Sequence, residues 1–429
     1  MTRFLGRRQP LATKSRVFNR MSFCTMDSVK RKPAVDSGQA EGASNGQSPR
    51  SGCRVFHLVD SLQVGGTETQ AVELALRMPV PEYQVTLGCL RAQGPLLNRM
   101  QDSAVAVEEF YPKGGIDSPR GVYQLLRLSG FLRRGKFDVV HMHDLWSNLM
   151  GVPAARLARV PVVISSQRDL SHLDWYRGTR RAFLRRIQNL SDAVLVNAMP
   201  VRDAMIAEDG FSPEKLRVIH NGVDAERLQR GKRDRQRLFP DAGEGKLVVL
   251  VGNMHTDVKG HPWLIAAAPS IVSEFPQTRF VLAGDGESRR VFEQQVNGLG
   301  LQQNFMFLGC RDDIPDILAS CDIAVLPSKA EGLPNAVLEY MAAGLPTITS
   351  RVGGNSELIQ DNVTGLLVPP QNSEALANAL LRFLRDPELA RQLAAEGQRV
   401  AAQDFSFERL VREVDRLYTE LLQRSRRRR

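Results

Sequence analysis

Short runs of aliphatic and β-branched residues, most of them separated by a stretch with helical spacing, recur along nearly the whole chain. The first series is 54–62 (RVFHLVDSL), 83–90 (YQVTLGCL), 105–111 (VAVEEFY), 137–143 (FDVVHMH), 161–166 (PVVISS), 192–197 (DAVLVN) and 216–220 (LRVIH). A second series follows at 246–253 (KLVVLVGN), 279–285 (RFVLAGD), 305–309 (FMFLG), 322–328 (DIAVLPS), 345–350 (LPTITS) and 365–370 (GLLVPP). Strands that are apolar at consecutive positions are buried on both faces, and helices between them point to parallel pairing. The pattern therefore predicts an α/β protein with parallel sheets covered on both sides.

The rhythm breaks between 221 and 245, where AERLQRGKRDRQRLFPDAGEG is charged and lacks a strand core. This is the expected junction between two doubly wound domains, a division that suits a chain of 429 residues. The predicted boundaries are a basic tail at 1–52, a first domain at 53–224, a second at 225–404, a final helix at 405–424 that crosses back to the first domain, and an arginine tail at 425–429. Residues 1–52 show little periodicity and are expected to be disordered, or an over-long start of the reading frame.

The net charge of +10 belongs to the tails. Residues 1–50 carry ten Lys/Arg against three Asp/Glu, and 424–429 add five arginines, so the body is near neutral. Charge gives no reason to expect nucleic acid as a partner of the body. The cysteines, Cys24, Cys53, Cys89, Cys310 and Cys321, form no CxxC pair, and the last three adjoin apolar runs, as free buried thiols do. A reducing compartment follows. With no apolar run long enough to span a bilayer and no signal-like segment, the expected location is the cytoplasm.

The chemistry concentrates in PSKAEGLPNAVLEYMAAGLPTITSRVGGNSELI, residues 327–359. A buried strand ends there, and NAVLEYMAAG has helical spacing. The loop KAEGLP thus lies at the carboxyl end of a parallel strand, where open α/β sheets bind ligands. The amides of Gly332, Leu333 and Asn335 at the helix start form a site for an anion such as a diphosphate. Gly332 lets another group approach the backbone. Glu331 and Glu339 bracket that site, and carboxylates accept hydrogen bonds from the adjacent hydroxyls of sugar rings.

The segments EGLPNAVLE, GLPTITSRVGGNSELI and NVTGLLVPP resemble the donor-site signature of glycosyltransferase family 4. The resemblance spans about 53–424 and is most specific over 246–370. It implies the GT-B fold, two facing Rossmann-like domains with the site in the interdomain cleft, and retaining transfer without a divalent metal. It implies that Glu331 lies by the donor sugar and Glu339 by the ribose. Lys259 matches a cation for the diphosphate, whereas Asn253 stands where the family has an arginine. The departure leaves the donor one cation short unless His255, Arg311 or Arg168 substitutes.

Three further features fit this pattern. Gly65-Gly66 joins a strand to a helix that Thr67 can cap, and the resemblance turns this loop toward donor phosphate and acceptor. Gly353 and Gly354, with Glu357, form a strand-end turn that the resemblance places under the nucleotide. His141 and His143 share one face of a strand; the resemblance assigns His143 alone to the donor sugar. Two histidines without an evident third ligand do not predict zinc. No D-x-D occurs in the sequence. At 175–187, Arg177, Arg181 and Arg185 form one helical stripe and Phe183 and Ile187 another, a pattern compatible with an anionic membrane surface.

The expected activity is transfer of a sugar from a UDP- or GDP-sugar to an acceptor hydroxyl, with Glu331, His143 and Lys259 at the chemistry. Glu339, Gly332, Leu333, Asn335, Gly65, Gly66, Asn253, Gly353 and Gly354 line the donor site. No cofactor is expected, and the expected acceptor is a saccharide or lipid-linked saccharide. The alternatives are a nucleotide-sugar epimerase or hydrolase on the same fold, and a non-catalytic nucleotide-sugar-binding protein.

Overall fold

The computed structural model describes residues 52–168 and 178–428. A first sheet contains β1 (Cys53–Ser61), β2 (Tyr83–Arg91), β3 (Ala106–Glu109), β4 (Val139–Met142), β5 (Val162–Gln167), β6 (Ala193–Val196) and β7 (Leu216–Val218). A second contains β8 (Leu247–Val251), β9 (Arg279–Ala283), β10 (Phe305–Gly309), β11 (Ile323–Leu326), β12 (Thr347–Ser350) and β13 (Leu366–Val368). Each apolar run picked out above forms one of these strands. Residues 1–51, 169–177 and 429 lie outside the described residues. Readings that fall there, including those on most of the basic tail, Arg177 and Cys24, lie outside them too.

Strand order is β3-β2-β1-β4-β5-β6-β7 in the first sheet and β10-β9-β8-β11-β12-β13 in the second. Every strand pairing within them is parallel. In both sheets the order reverses beside the first strand, between β1 and β4 and between β8 and β11. Crossovers on either side of such a point leave to opposite faces and open a crevice at the carboxyl ends of the strands. The loops after β1, β4, β8 and β11 are therefore the ones that the topology reserves for ligands.

Helices cover both faces of each sheet. In the second lobe, one face packs Val248, Leu250, Phe280 and Leu282 against Leu264, Ile271, Leu376 and Leu380. The other face belongs to a cluster that continues into the first lobe, joining Val337, Leu338 and Leu358 to Val196, Ala198, Val201 and Met205. The lobes thus share one apolar interior.

The final helix, Phe407–Arg427, begins at Ser406, whose Oγ accepts from the Arg409 amide at 3.2 Å. Its buried residues Phe407, Leu410, Val414, Leu417, Tyr418 and Leu421 recur at three- and four-residue spacing. That stripe lies on Val55, Val139, Val162 and Ile164 of the first sheet, after the chain has built the second lobe. Burying each such side chain contributes about 2 kcal/mol, which ties the two lobes together. Cys89 and Cys321 are buried thiols, but Cys310 is exposed: it follows the turn at Gly309 and leaves the sheet edge.

Candidate active site

The four switch-point loops carry most of the residues singled out by sequence. After β8 comes Asn253 and then Lys259; after β11 comes Glu331. Lys259 Nζ lies 2.8 and 3.0 Å from the two carboxylate oxygens of Glu331, and Ser328 Oγ donates to the same carboxylate at 2.6 Å. The Glu331 side chain is only 7 % exposed and that of Lys259 25 %. At this burial the ion pair is held rigidly, and the ammonium keeps a donor free for a further anion.

The helix Asn335–Ala342 starts next to this pair, with Pro334 in the N-cap position. The amides of Gly332, Leu333 and Asn335 donate to no acceptor among the described residues. They lie at the positive end of the helix and beside Lys259, the chemistry of an anion site. Glu339, one turn into the helix, is half-buried, and its carboxyl makes no hydrogen bond or ion pair among the described residues. Burial pushes its pKa up to about 7, against a smaller opposing pull from Arg227.

The glycines here serve packing between segments. A Cβ on Gly332 would stand 2.0 Å from the carbonyl oxygen of Arg168 in the first lobe. Close approach of the other lobe, rather than of a ligand, accounts for this glycine. Gly353 has φ of +48° and a Cβ there would meet the Glu331 carbonyl oxygen at 1.9 Å. The amide of Gly354 donates to the Gly332 carbonyl at 2.6 Å, so this turn is the floor under the Glu331 loop. Glu357 accepts from the Met199 amide at 2.8 Å and meets His220 at 2.6 Å, closing a contact between lobes. Asn253 is exposed at the end of β8.

The first lobe's rim is built differently. His57 and His141 sit opposite one another in the β1–β4 pairing, and His143 stands two residues on. All three rings are fully buried. Arg168 Nη2 lies 3.2 Å from His143 Nδ1. A guanidinium only donates, so Nδ1 accepts, and the neutral ring donates from Nε2 to His57 Nδ1 at 2.8 Å. The proton of His57 then resides on Nε2, which has no partner. Burial lowers the pKa of His57 to about 3 and those of His141 and His143 well below the ordinary value, with further lowering from their neighbours.

Both ring nitrogens of His143, which the resemblance assigns to the donor sugar, are engaged inside the lobe. His57 is the third histidine that the sequence did not reveal. Nitrogens of the three rings lie within 4.8 Å of one another, a spacing compatible with a metal. The donor set does not fit one: the His57 and His143 nitrogens point at each other in a hydrogen bond, His141 is engaged by Tyr418 and Ser166, and a guanidinium adjoins His143.

The acids of this rim are also displaced from their usual behaviour. The Gly66–Arg77 helix has Gly65 in the N-cap position with no side-chain cap, so Thr67 falls inside the first turn. Glu68 folds over that helix start, where a Cβ on Gly65 would touch its carboxylate at 2.3 Å. An acid therefore already occupies the glycine loop expected to face phosphate. Burial first, then Asp144, push the Glu68 pKa up to about 7. Asp144 is raised to about 6 by burial and by Asp60, while its oxygens accept from the Ser147 and Asp60 amides at 2.8 Å.

Asn335 links the two rims. Its Nδ2 donates to the Gly66 carbonyl at 3.0 Å, and its Oδ1 accepts from Asn221 at 2.8 Å. Gln70 and Gly222 exchange two hydrogen bonds at 2.7 and 2.9 Å nearby. Glu331, Lys259, Gly332, Leu333, Asn335, Gly353 and Gly354 converge on one side of this contact, and Gly65, Gly66 and Arg168 on the other. Arg311 is paired with Asp313 beyond the end of β10, and His255 is exposed.

Known proteins share this architecture. Residues 64–227 match the family described as Glycosyltransferase Family 4, and residues 245–386 the one described as Glycosyl transferases group 1. The UDP-Gal:alpha-D-GlcNAc-diphosphoundecaprenol alpha-1,3-galactosyltransferase of Escherichia coli is 25% identical over 389 residues, covering 88% of this chain and 99% of that protein. Glycogen synthase of Mycobacterium tuberculosis is 29% identical over 304 residues, or 68% of this chain and 71% of that one. Among solved structures, HepE of Anabaena in complex with UDP-glucose superposes with a TM-score of 0.76 at 23% identity, covering 86% and 99% of the two chains. WaaG, a glycosyltransferase involved in lipopolysaccharide biosynthesis, gives 0.67 at 16%, covering 84% and 98%. The two facing sheets are those of the GT-B fold.

Proposed function

The chain belongs to glycosyltransferase family 4 and is a nucleotide-sugar-dependent glycosyltransferase, and from that premise we propose that its donor is a UDP-sugar and its acceptor a lipid-linked saccharide. One observation supports this reading of the site: Lys259, held on Glu331, adjoins helix-start amides that have no acceptor among the described residues. A cation and oriented amides in a shielded cleft stabilise the charge that gathers on a leaving diphosphate. In this reading Glu331 accepts from donor-sugar hydroxyls and Glu339 from the ribose, the roles that the family resemblance implies. Positioning the acceptor hydroxyl beside the anomeric carbon supplies the rest of the rate.

The UDP reading and the lipid-linked acceptor are supported by the name of the Escherichia coli relative. Lys259 and the amides supply the positive charge that a divalent metal would otherwise provide, and retention of configuration is what the family resemblance implies. Peripheral association with an anionic membrane belongs to the same proposal. No helix among the described residues is long and apolar enough to cross a membrane. The Gly178–Asn189 helix exposes Arg185, Arg186 and Phe183, the last to 58%. Its Arg181 is bound to Glu208 and Asp209 and is not available to lipid. Ile187 packs inward.

The test is nucleoside-diphosphate release from UDP-, GDP- and ADP-sugars, with and without a membrane extract as acceptor source and with EDTA. The expected result is release from a UDP-sugar that depends on the extract and persists in EDTA. Release that ignores acceptor would favour a hydrolase. Binding of every donor without any release would overturn the catalytic reading.

A further inference from the structure

Arg168, at the end of β5, differs from the cations on neighbouring strand-end loops. Those are in contact with carboxylates: Lys259 with Glu331, Lys329 with Asp257, Arg91 with Asp60, Arg351 with Asp361 and Arg311 with Asp313. Arg168 has no carboxylate within ion-pair distance among the described residues. Its Nη1 donates to Asn221 Oδ1 at 3.0 Å and its Nη2 to His143 at 3.2 Å, both neutral acceptors. Its Nε is buried and donates to no acceptor among the described residues. A shielded guanidinium without a counter-charge is costly, since desolvation is not offset by an ion pair. Burial accordingly lowers its pKa to about 10, which still leaves it charged at neutral pH, with Glu68 and Asp144 opposing from a distance.

The location of that charge gives it a use. Asn221, which holds the guanidinium, also donates to the Leu333 carbonyl at 2.9 Å and to Asn335 Oδ1 at 2.8 Å. The Arg168 carbonyl itself abuts Gly332. The uncompensated cation therefore lies one side chain away from the acceptor-less amides of Gly332, Leu333 and Asn335, in the opposite lobe. Two groups that each lack an anion face the same inter-lobe seam.

We propose that Arg168 is the first lobe's cation for the donor diphosphate, binding it when the lobes part enough to admit the nucleotide-sugar, so that the diphosphate is gripped from both lobes at once. This rests on the transferase reading above. It makes lobe closure depend on the second phosphate: a nucleoside monophosphate satisfies the second lobe, whereas the diphosphate also neutralises Arg168 and draws the lobes together.

The experiment is calorimetric binding of UDP, UMP, GDP and GMP to the full chain, as wild type, Arg168→Gln, Arg168→Lys, and Arg168→Gln combined with Asn253→Arg. The last variant places a new cation at the exposed end of β8, on the Lys259 loop. The wild type is expected to prefer the diphosphate over the monophosphate of its base. Arg168→Gln is expected to reduce that preference about tenfold, the size of a lost charge-assisted contact, with monophosphate affinity unchanged. Arg168→Lys should retain part of the preference, and Asn253→Arg should restore it in the glutamine background. An unchanged preference in Arg168→Gln would overturn the proposal. So would equal weakening of mono- and diphosphate, the mark of a purely structural role. If the glutamine variant does not fold, Arg168→Met decides: an undiminished diphosphate preference there overturns the proposal, because the side chain keeps its bulk without the charge. Failure of a folded wild type to bind either diphosphate would refute the transferase reading itself, and this inference with it.

Discussion

The second lobe's rim holds its central cation on a carboxylate, and the first lobe's rim leaves Arg168 without one among the described residues. Lys259 rests on Glu331 with Ser328 completing the carboxylate, which leaves the helix-start amides as the unsatisfied feature. Across the seam, Arg168 touches only neutral acceptors, Glu68 and Asp144 are pushed toward protonation, and three histidines are held neutral. A rim with its charges paired can be rigid before donor arrives. A rim with buried, uncompensated charge gains most when a partner neutralises it. On the proposed function, the contrast would put donor chemistry in the second lobe and response to the ligand in the first.

The strongest way to break this contrast is Glu331→Gln. The amide keeps the shape and the Ser328 contact but releases Lys259. Transfer should fall by about 10²–10⁴-fold, the range for losing a group that acts in the transition state. Thermal unfolding should move by no more than a few degrees. Near-normal donor turnover would remove the chemistry from the second rim.

Glu339 sharpens the contrast through pH. Its carboxyl is raised to about 7, so the ionised form grows between pH 6 and 8. If that form accepts from the ribose, the donor KM should fall across this window. In Glu339→Gln the KM should be about tenfold higher and flat with pH, as expected for one lost charge-assisted contact. A wild-type KM that is indifferent to pH would contradict the ribose role.

The smallest effect belongs to the first rim. His57 has its pKa lowered from 6.5 to about 3. A group depressed in the folded state stabilises above its ordinary value, and that contribution is lost as pH falls through 6.5 toward 3. His57→Asn keeps an acceptor for His143 without the titration. Between pH 6.5 and 5.5 the wild type should lose about 1 kcal/mol more stability than the variant in urea unfolding. Parallel loss in both would show that His57 titrates freely.

Legibility in the sequence follows the same division. The inner strands were readable because both faces are buried and their runs are mostly apolar; the edge strand β3 is partly exposed and carries Glu108 and Glu109. Glu331, Gly332, Glu339 and Lys259 could be singled out because each lies on a strand–loop–helix segment whose local pattern marks it, and the structure brings Lys259 onto Glu331. His57 lies mid-strand in β1 and Arg168 and Asn221 follow the ends of β5 and β7, and only the parallel register brings them beside His143 and Asn335. Local pattern carries no trace of that. One detail was misread: Cys310 follows an apolar run but sits past its turn, whereas at Gly332 the group that approaches the backbone is the Arg168 carbonyl.

The most direct test of the central claim is a crystal structure with an intact UDP-sugar bound. The account predicts the diphosphate on the amides of Gly332, Leu333 and Asn335 with Lys259 beside it, Glu331 on the sugar and Glu339 on the ribose. A nucleotide seated elsewhere, with Lys259 still closed on Glu331 and Glu339 untouched by ligand, would contradict it.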